Sequence, residues 1–315
     1  MQFEPMVSII IPVYNGSNFM REAIDSALGQ TYHNIEVIVV NDGSCDDQKT
    51  AQIAQSYGNR IRYFEKENGG VSSALNLGIK EMKGEYFSWL SHDDKYYPNK
   101  IESEIKALSS LPDKHTVITC CCEFIDKESN LISKKKGESF FAYNEVLTWG
   151  VVLHALLKKG TMNGCALLIP KSIFESVGLF DENLRYNQDG FMWLKIFLKK
   201  YSMYCIPDVC VQSRLHSGQL TQTGIEIFHK DCESMSAFLI PAISEVTTPT
   251  DRYLFEYAEY NAKYGNDSVV KHIICSDKDL LNNLEKVKLK SMRVYGKIRP
   301  YLRKMYYRFF KLMRD

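Results

Sequence analysis

The alternation of short apolar runs with amphipathic stretches constrains this chain more than any other feature. Val7–Val13 (VSIIIPV) and residues 35–40 (IEVIVV), 61–64 (IRYF) and 86–90 (YFSWL) are rich in β-branched or aromatic side chains. Between them, residues 18–29, 46–57 and 72–82 carry helical periodicity. Continuous apolar strands that alternate with helices predict a parallel sheet covered on both faces. Such sheets bind ligands beyond the carboxyl ends of their strands. The chemistry is therefore expected at Tyr14-Asn15, Asn41-Asp42-Gly43-Ser44, Glu67-Asn68-Gly69-Gly70 and Ser91-His92-Asp93-Asp94.

The second half is less regular. Residues 140–159 read as helical, 166–169 as a strand stopped by Pro170, 189–200 as a helix and 209–215 as a strand. From residue 225 the pattern is helical, with Pro241 and Pro249 as expected breaks. A chain of 315 residues holds one large α/β domain and an appendage. We place the domain at residues 1–223 and a helical extension at 224–315.

No stretch reaches the roughly 18 consecutive apolar residues that a membrane span needs. The first residues lack the basic and apolar regions of a signal peptide. The nine cysteines include no CxxC pair, and Cys120-Cys121-Cys122 sit in an apolar run. Reduced, packed thiols in a cytoplasmic protein are expected. The net charge of +1 hides an asymmetry. Residues 284–315 hold 11 Lys/Arg and 2 Asp/Glu, a net of +9, while the rest of the chain carries −8. Met305, Phe309, Leu312 and Met313 recur at helical spacing within that tail. A basic amphipathic tail suits an anionic membrane surface, on the inner face of the plasma membrane, rather than nucleic acid. A helix packed on the body with a solvated basic face is the plainer alternative.

Four segments and a later pair of stretches, in order and spacing, resemble the family 2 glycosyltransferases of the GT-A fold. They are residues 7–15 (VSIIIPVYN), 35–44 (IEVIVVNDGS), 67–79 (ENGGVSSALNLGI), 84–94 (GEYFSWLSHDD) and, later, 163–170 with 177–193 (VGLFDENLRYNQDGFMW). The resemblance covers about residues 5–220. It implies an inverting transferase that uses a nucleotide sugar, on a Rossmann-like, mostly parallel sheet flanked by helices. A saccharide or lipid-linked acceptor follows, in surface polysaccharide or glycolipid assembly. The Gln-x-x-Arg-Trp motif and the membrane spans of processive synthases are not found, which favours one sugar per acceptor.

The residues fit that chemistry. Asp42 can accept a hydrogen bond from the imide N–H of uracil, with backbone groups and a ring offered by Pro12, Val13 and Tyr14; Asn15 follows in the same loop. Asp42 is equally a common turn residue. Asn68, Gly69 and Gly70 can form a tight turn close to a nucleotide. Asp93 and Asp94 are hard oxygen donors suited to Mn²⁺ or Mg²⁺ on a diphosphate, and Asp residues there can also cap the next helix. The family's Asp-x-Asp pattern is here Ser91-His92-Asp93, with Ser91 in place of the first Asp. The resemblance further implies Asn76 as a polar donor contact, His216 as a metal or diphosphate ligand, and Asp189 as the general base. Arg214 can meet a phosphate. The family's Arg before Asn76 is Leu75 here, and its Glu-Asp pair is Gln188-Asp189. Losing that neighbouring carboxylate is expected to lower the pKa of Asp189. Asp189 can alternatively be a helix N-cap, and His216 an ordinary surface histidine. Two other functions remain open, a sugar nucleotidyltransferase and a catalytically impaired nucleotide-sugar-binding module.

Overall fold

The computed structural model describes residues 3–133, 141, 143–216, 225–248, 251–276, 281, 285–286 and 288–293. The tail residues Met305, Phe309, Leu312 and Met313, and Pro249, lie outside the described residues. Two compact units are present, one within Met1–Val152 and Thr161–Gly224, the other within Leu153–Gly160 and Ile225–Asp315.

The first unit is built on strands β1 (Val7–Val13), β2 (Ile35–Asp42), β3 (Arg62–Lys66) and β4 (Tyr86–Trp89). Helices α1 (Met20–Leu28), α2 (Lys49–Gln55) and α3 (Val71–Glu81) connect them. All seven residues of β1 are buried, as a strand sandwiched between helices requires. β1 pairs in parallel with β2 (Val7 opposite Ile35) and β4 (Val7 opposite Tyr86), and β2 with β3. Gly78 lets α3 lie close on β1, since a Cβ there would come within 2.4 Å of the Ile10 side chain.

Beyond β4 come β5 (Lys95–Tyr96), α4 (Lys100–Ser110), β6 (Val117–Ile125), β7 (Leu131–Ser133), β8 (Val146–Leu147) and α5 (Trp149–Lys159). They are followed by β9 (Leu167–Pro170), α6 (Lys171–Val177), α7 (Gln188–Leu198) and β10 (Met203–Arg214). The sheet order is β3-β2-β1-β4-β9-β6-β10-β5. β9 runs antiparallel to both β4 and β6, and β10 runs parallel to β6. Two antiparallel steps restore the direction, so the carboxyl ends of β1, β2, β4, β6 and β10 share one edge. The segment leading into β9 reaches that same edge from the opposite sense.

Residues 140–159, expected as one helix, contain the short strand β8 before α5, because residues 146–147 pair with β10. The strand expected at 209–215 is the longer β10, irregular between Cys205 and Val211 around Pro207. The second unit is helical: α8 (Ile225–Val246), α9 (Tyr253–Lys263) and α10 (Asp267–Ser276). Pro241, expected as a break, lies inside α8. Burial of Phe228, Cys232, Met235, Leu239, Ile240 and Ile243 on one side of α8 outweighs one lost backbone hydrogen bond. Among the described residues no helix is long and apolar enough to cross a membrane.

Candidate active site

The loops after β1 and β2 are tied together. Asn15 takes a left-handed φ of 50°, a region Asn tolerates better than most residues. Its N–H donates to Ser44 Oγ (2.8 Å) and its Oδ1 accepts from the Cys45 N–H (2.8 Å). Tyr14 is left exposed on the loop surface, while Pro12 and Val13 stay buried in the strand. Gly16 leaves room for the His92 ring, which a Cβ would approach to 2.7 Å.

Asp42 ends β2 with a buried carboxylate. Lys66 Nζ donates to Oδ1 (2.8 Å), the Gly69 N–H to Oδ1 (2.9 Å) and the Gly70 N–H to Oδ2 (2.7 Å). Asn68 Nδ2 donates to the Asp42 carbonyl (2.9 Å). The turn at residues 67–70 therefore wraps Asp42. Gly70 has a φ of 88°, and a Cβ on it would lie 2.2 Å from the Arg185 guanidinium. Arg185 donates to the Gly69 carbonyl (2.9 Å). A carboxylate offers about four acceptor positions, and these contacts use three.

Asn76, expected at the donor, is buried and holds the protein together instead. Its Nδ2 donates to the Phe180 carbonyl (3.0 Å) and Glu182 Oε1 (2.8 Å), and its Oδ1 accepts from the Phe180 N–H (2.9 Å). Its amide is consumed in docking the segment that leads to α7, because a buried amide must find partners within the fold. Leu75 is fully buried in the core.

Ser91 to Asp94 form a turn at the end of β4, closed by the Asp94 N–H donating to the Ser91 carbonyl (3.1 Å). The two aspartates separate. Asp93 Oδ2 lies 3.1 Å from His216 Nε2, and both side chains retain some exposure, 14% and 19%. Asp94, expected on the donor side, turns inward. Its Oδ1 accepts the Arg214 N–H (2.8 Å) and its Oδ2 the Cys165 thiol (3.3 Å). Burial, helped by the Asp93 charge, pushes the Asp94 pKa up to about 7. Burial also pushes the His92 imidazole below its ordinary value, against the pull of Asp93. Arg214, expected at a phosphate, is fully buried and committed to protein groups.

Asp189 sits in the first turn of α7. Its Oδ1 accepts the Gly190 N–H (2.6 Å). Burial nevertheless pushes its pKa up to about 6, although Gly190, its own N–H and Thr161 pull it down. The missing neighbouring carboxylate spares Asp189 a further rise, but removing water from a carboxylate by itself lifts the pKa above the ordinary Asp value. Thr161 belongs to the segment entering β9, which reaches the edge at the carboxyl ends of β4 and β10. Asn163, two residues on, donates to Ser213 Oγ (3.5 Å), and Gly164 packs against Trp89. Asp189 thereby shares that edge with Asp93 and His216.

The expected residues Tyr14, Asn15, Asp42, Asn68, Gly70, Ser91, His92, Asp93, His216 and Asp189 all lie at this edge. Sequence reasoning missed Lys66, Cys165 and Arg185. Lys66 had only a weak signal, a basic residue shortly after the third apolar run, because the register that sets it beside Asp42 comes from the structure. Cys165 and Arg185 had none, because their contacts depend on chain segments far apart in sequence.

Residues 8–173 match the model of glycosyl transferase family 2, more than half of the chain. The chain belongs to glycosyl transferase family 2. It is 47% identical over 268 residues to a Rickettsia typhi protein named an uncharacterized glycosyltransferase, covering 84% of this chain and 82% of that one. The glycosyltransferase also shares its fold with solved structures at low identity. One is Staphylococcus aureus TarS 1–349 in complex with UDP-GlcNAc, with a TM-score of 0.63 and 17% identity over 90% of this chain and 79% of that one. Another is a mannosyltransferase of Pyrobaculum calidifontis in complex with GDP-Man and Mn²⁺, with a TM-score of 0.56 and 16% identity over 96% and 86%. The fold is therefore that of the GT-A glycosyltransferases.

Proposed function

We propose that this glycosyltransferase moves a single sugar, with inversion, from a UDP-sugar to a hydroxyl of a saccharide or lipid-linked acceptor. Surface polysaccharide or glycolipid assembly is the setting. The observation that carries this reading is the grouping at one sheet edge of Asp42, the Asp93–His216 pair and an Asp189 whose pKa burial raises to about 6.

The remaining acceptor position of Asp42 suits the imide N–H of uracil, beside the exposed Tyr14 ring. Asp189 takes the proton of the acceptor hydroxyl as that oxygen bonds to the anomeric carbon. The bond from that carbon to the diphosphate breaks, and the nucleoside diphosphate leaves from the opposite face.

Asp93 and His216 fit a divalent ion that draws its other ligands from substrate phosphates and water. Among the described residues no group of three or more His, Cys, Asp or Glu could hold a metal on its own. An imidazole beside a carboxylate favours a first-row ion such as Mn²⁺ over Mg²⁺. Such an ion, when bound, offsets the charge that develops on the departing diphosphate.

Release of UDP from UDP-sugars in the absence of acceptor, measured with Mn²⁺ and with EDTA, tests this reading. Mn²⁺ should raise the rate, and Asp93→Ala should remove that gain and weaken donor binding. Full activity in EDTA would refute the metal. No turnover of any nucleotide sugar, with binding intact, would favour a binding module. A nucleotidyltransferase is disfavoured because the loop after β1, Tyr14-Asn15-Gly16-Ser17, carries no Arg or Lys.

The basic tail completes the proposal as a peripheral contact with an anionic membrane. Glu285, Lys288, Leu289 and Arg293 are engaged within the second unit: Arg252 meets Glu285 (3.2 Å), Lys288 meets Glu259 (2.9 Å), Arg293 pairs with Asp267 and Leu289 is fully buried. Residues 294–315 still carry 7 Lys/Arg against 1 Asp. Each such charge near an anionic surface contributes about 1 kcal/mol. Truncation after Arg293 should abolish sedimentation with anionic vesicles and leave UDP release unchanged. A truncated protein that still sediments would move the membrane contact elsewhere.

A further inference from the structure

We propose that Arg214 is the positioning residue that holds Asp93 and His216 together as a pair. This rests on the reading of that pair as the metal site. Three contacts zip the turn after β4 to the end of β10. Asp94 Oδ1 accepts the Arg214 N–H (2.8 Å), the Asp93 carbonyl accepts from Arg214 Nε (2.8 Å), and His216 Nε2 meets Asp93 Oδ2 (3.1 Å). The backbone on either side of the pair is thus fixed by one residue, through both its main chain and its side chain.

The rest of the guanidinium anchors that zip to the surrounding elements. Nη1 donates to the carbonyls of Asp126 (3.1 Å) and Lys127 (3.2 Å) and to Ser129 Oγ (3.0 Å), all in the turn between β6 and β7. Nη2 donates to Glu22 Oε2 (3.2 Å) on α1. The guanidinium carbon lies 4.5 Å from the centre of the Phe19 ring, and the same ring packs on His216 with centroids 5.3 Å apart. Arg214 and Phe19 together therefore fix the Asp93 backbone and the His216 ring plane. A planar fork with five donors can serve all these acceptors, whereas a lysine presents a single ammonium with three. This separates Arg214 from a phosphate-binding role: its donors face carbonyls and carboxylates of the protein.

The test uses the full chain and Mn²⁺ as the probe. Mn²⁺ binding is followed by electron paramagnetic resonance with and without UDP, and UDP binding is measured separately in EDTA. Residues that orient metal ligands typically change metal affinity about 10–100-fold. Arg214→Lys should weaken Mn²⁺ binding by that factor while UDP binding in EDTA stays at the wild-type level. A folded Arg214→Lys variant with wild-type Mn²⁺ affinity overturns the proposal. Should that variant fail to fold, the double variant Glu22→Ala with Ser129→Ala removes two tethers and leaves the arginine in place. It should weaken Mn²⁺ binding severalfold, and an unchanged affinity overturns the proposal equally. If Asp93→Ala leaves wild-type Mn²⁺ affinity untouched, the metal assignment beneath the proposal fails, independently of any arginine variant.

Discussion

Asp189→Asn is expected to lower kcat by about 10²–10⁴-fold, the usual contribution of a general base, while donor binding stays near the wild-type level. The amide keeps the shape of the side chain and loses the proton acceptor. Stopped assays of sugar transfer, paired with calorimetric UDP-sugar binding, separate the two quantities. A variant that retains most of its turnover would remove Asp189 from this role. The pH profile gives a second reading of the same residue. The base works in its deprotonated form, and burial holds its pKa at about 6. Activity should therefore rise with pH through about 6 and level off above it. An unperturbed Asp would put that limb near 3.9. Gln188→Glu would place a second buried carboxylate beside Asp189 and should move the limb to higher pH.

Glu104→Gln is expected to cost about 3–5 kcal/mol of stability, the usual effect of leaving one partner of a buried ion pair alone. Lys100 and Glu104 both have fully buried side chains. Lys100 Nζ donates to Oε1 (2.9 Å) and Oε2 (2.8 Å) of Glu104 and to Ser88 Oγ (3.1 Å), and lies 4.5 Å from the centre of the Tyr96 ring. Removing the carboxylate leaves a fully buried ammonium without its counter-charge. At about 2–4 °C per kcal/mol for a chain of this order of size, thermal unfolding should show a clear drop in Tm. Replacing both residues by apolar ones, Lys100→Met with Glu104→Leu, should recover most of the loss, because the desolvation of both charges disappears together. A single variant with wild-type Tm would show that the ammonium finds another partner. The pair matters for the site because Ser88 lies in β4 and Tyr96 in β5, which flank the turn carrying Asp93. Tyr96 also donates to the Trp89 carbonyl (2.6 Å).

The first four parallel strands were legible because their evidence is local. β1, β2 and β4 are apolar runs bounded by turn residues and are buried as such runs require, while β3, at the sheet edge, is only partly buried and was marked by its short β-forming run. The strand β6 was not legible: VITCCCEFI carries three cysteines at its centre, which mark burial without marking a strand. Pro241 misled for the converse reason, since a local breaker was overruled by a buried helix face.

The same division runs through the site. The sequence by itself determined at which edge of the sheet the chemistry is expected, because strand direction follows from the order of strands and helices, and it put Asp42 and Asp93 at that edge and His216 just after a strand, while Asp189 followed from the family resemblance alone. Only the tertiary structure decided how each residue is employed. Asp93 and Asp94 are adjacent and chemically identical, yet one meets His216 near the surface and the other is sealed against Arg214 and Cys165. Arg214 and Asn76 looked free to contact a ligand and are consumed by protein partners from distant segments. The pKa of Asp189 is raised by burial, which the residue beside it in the sequence does not reveal. The physical reason is common to all of these. Hydrogen-bond partners and desolvation are set by which segments meet in space, and a charge responds to the water it loses there more than to the residue beside it in the chain.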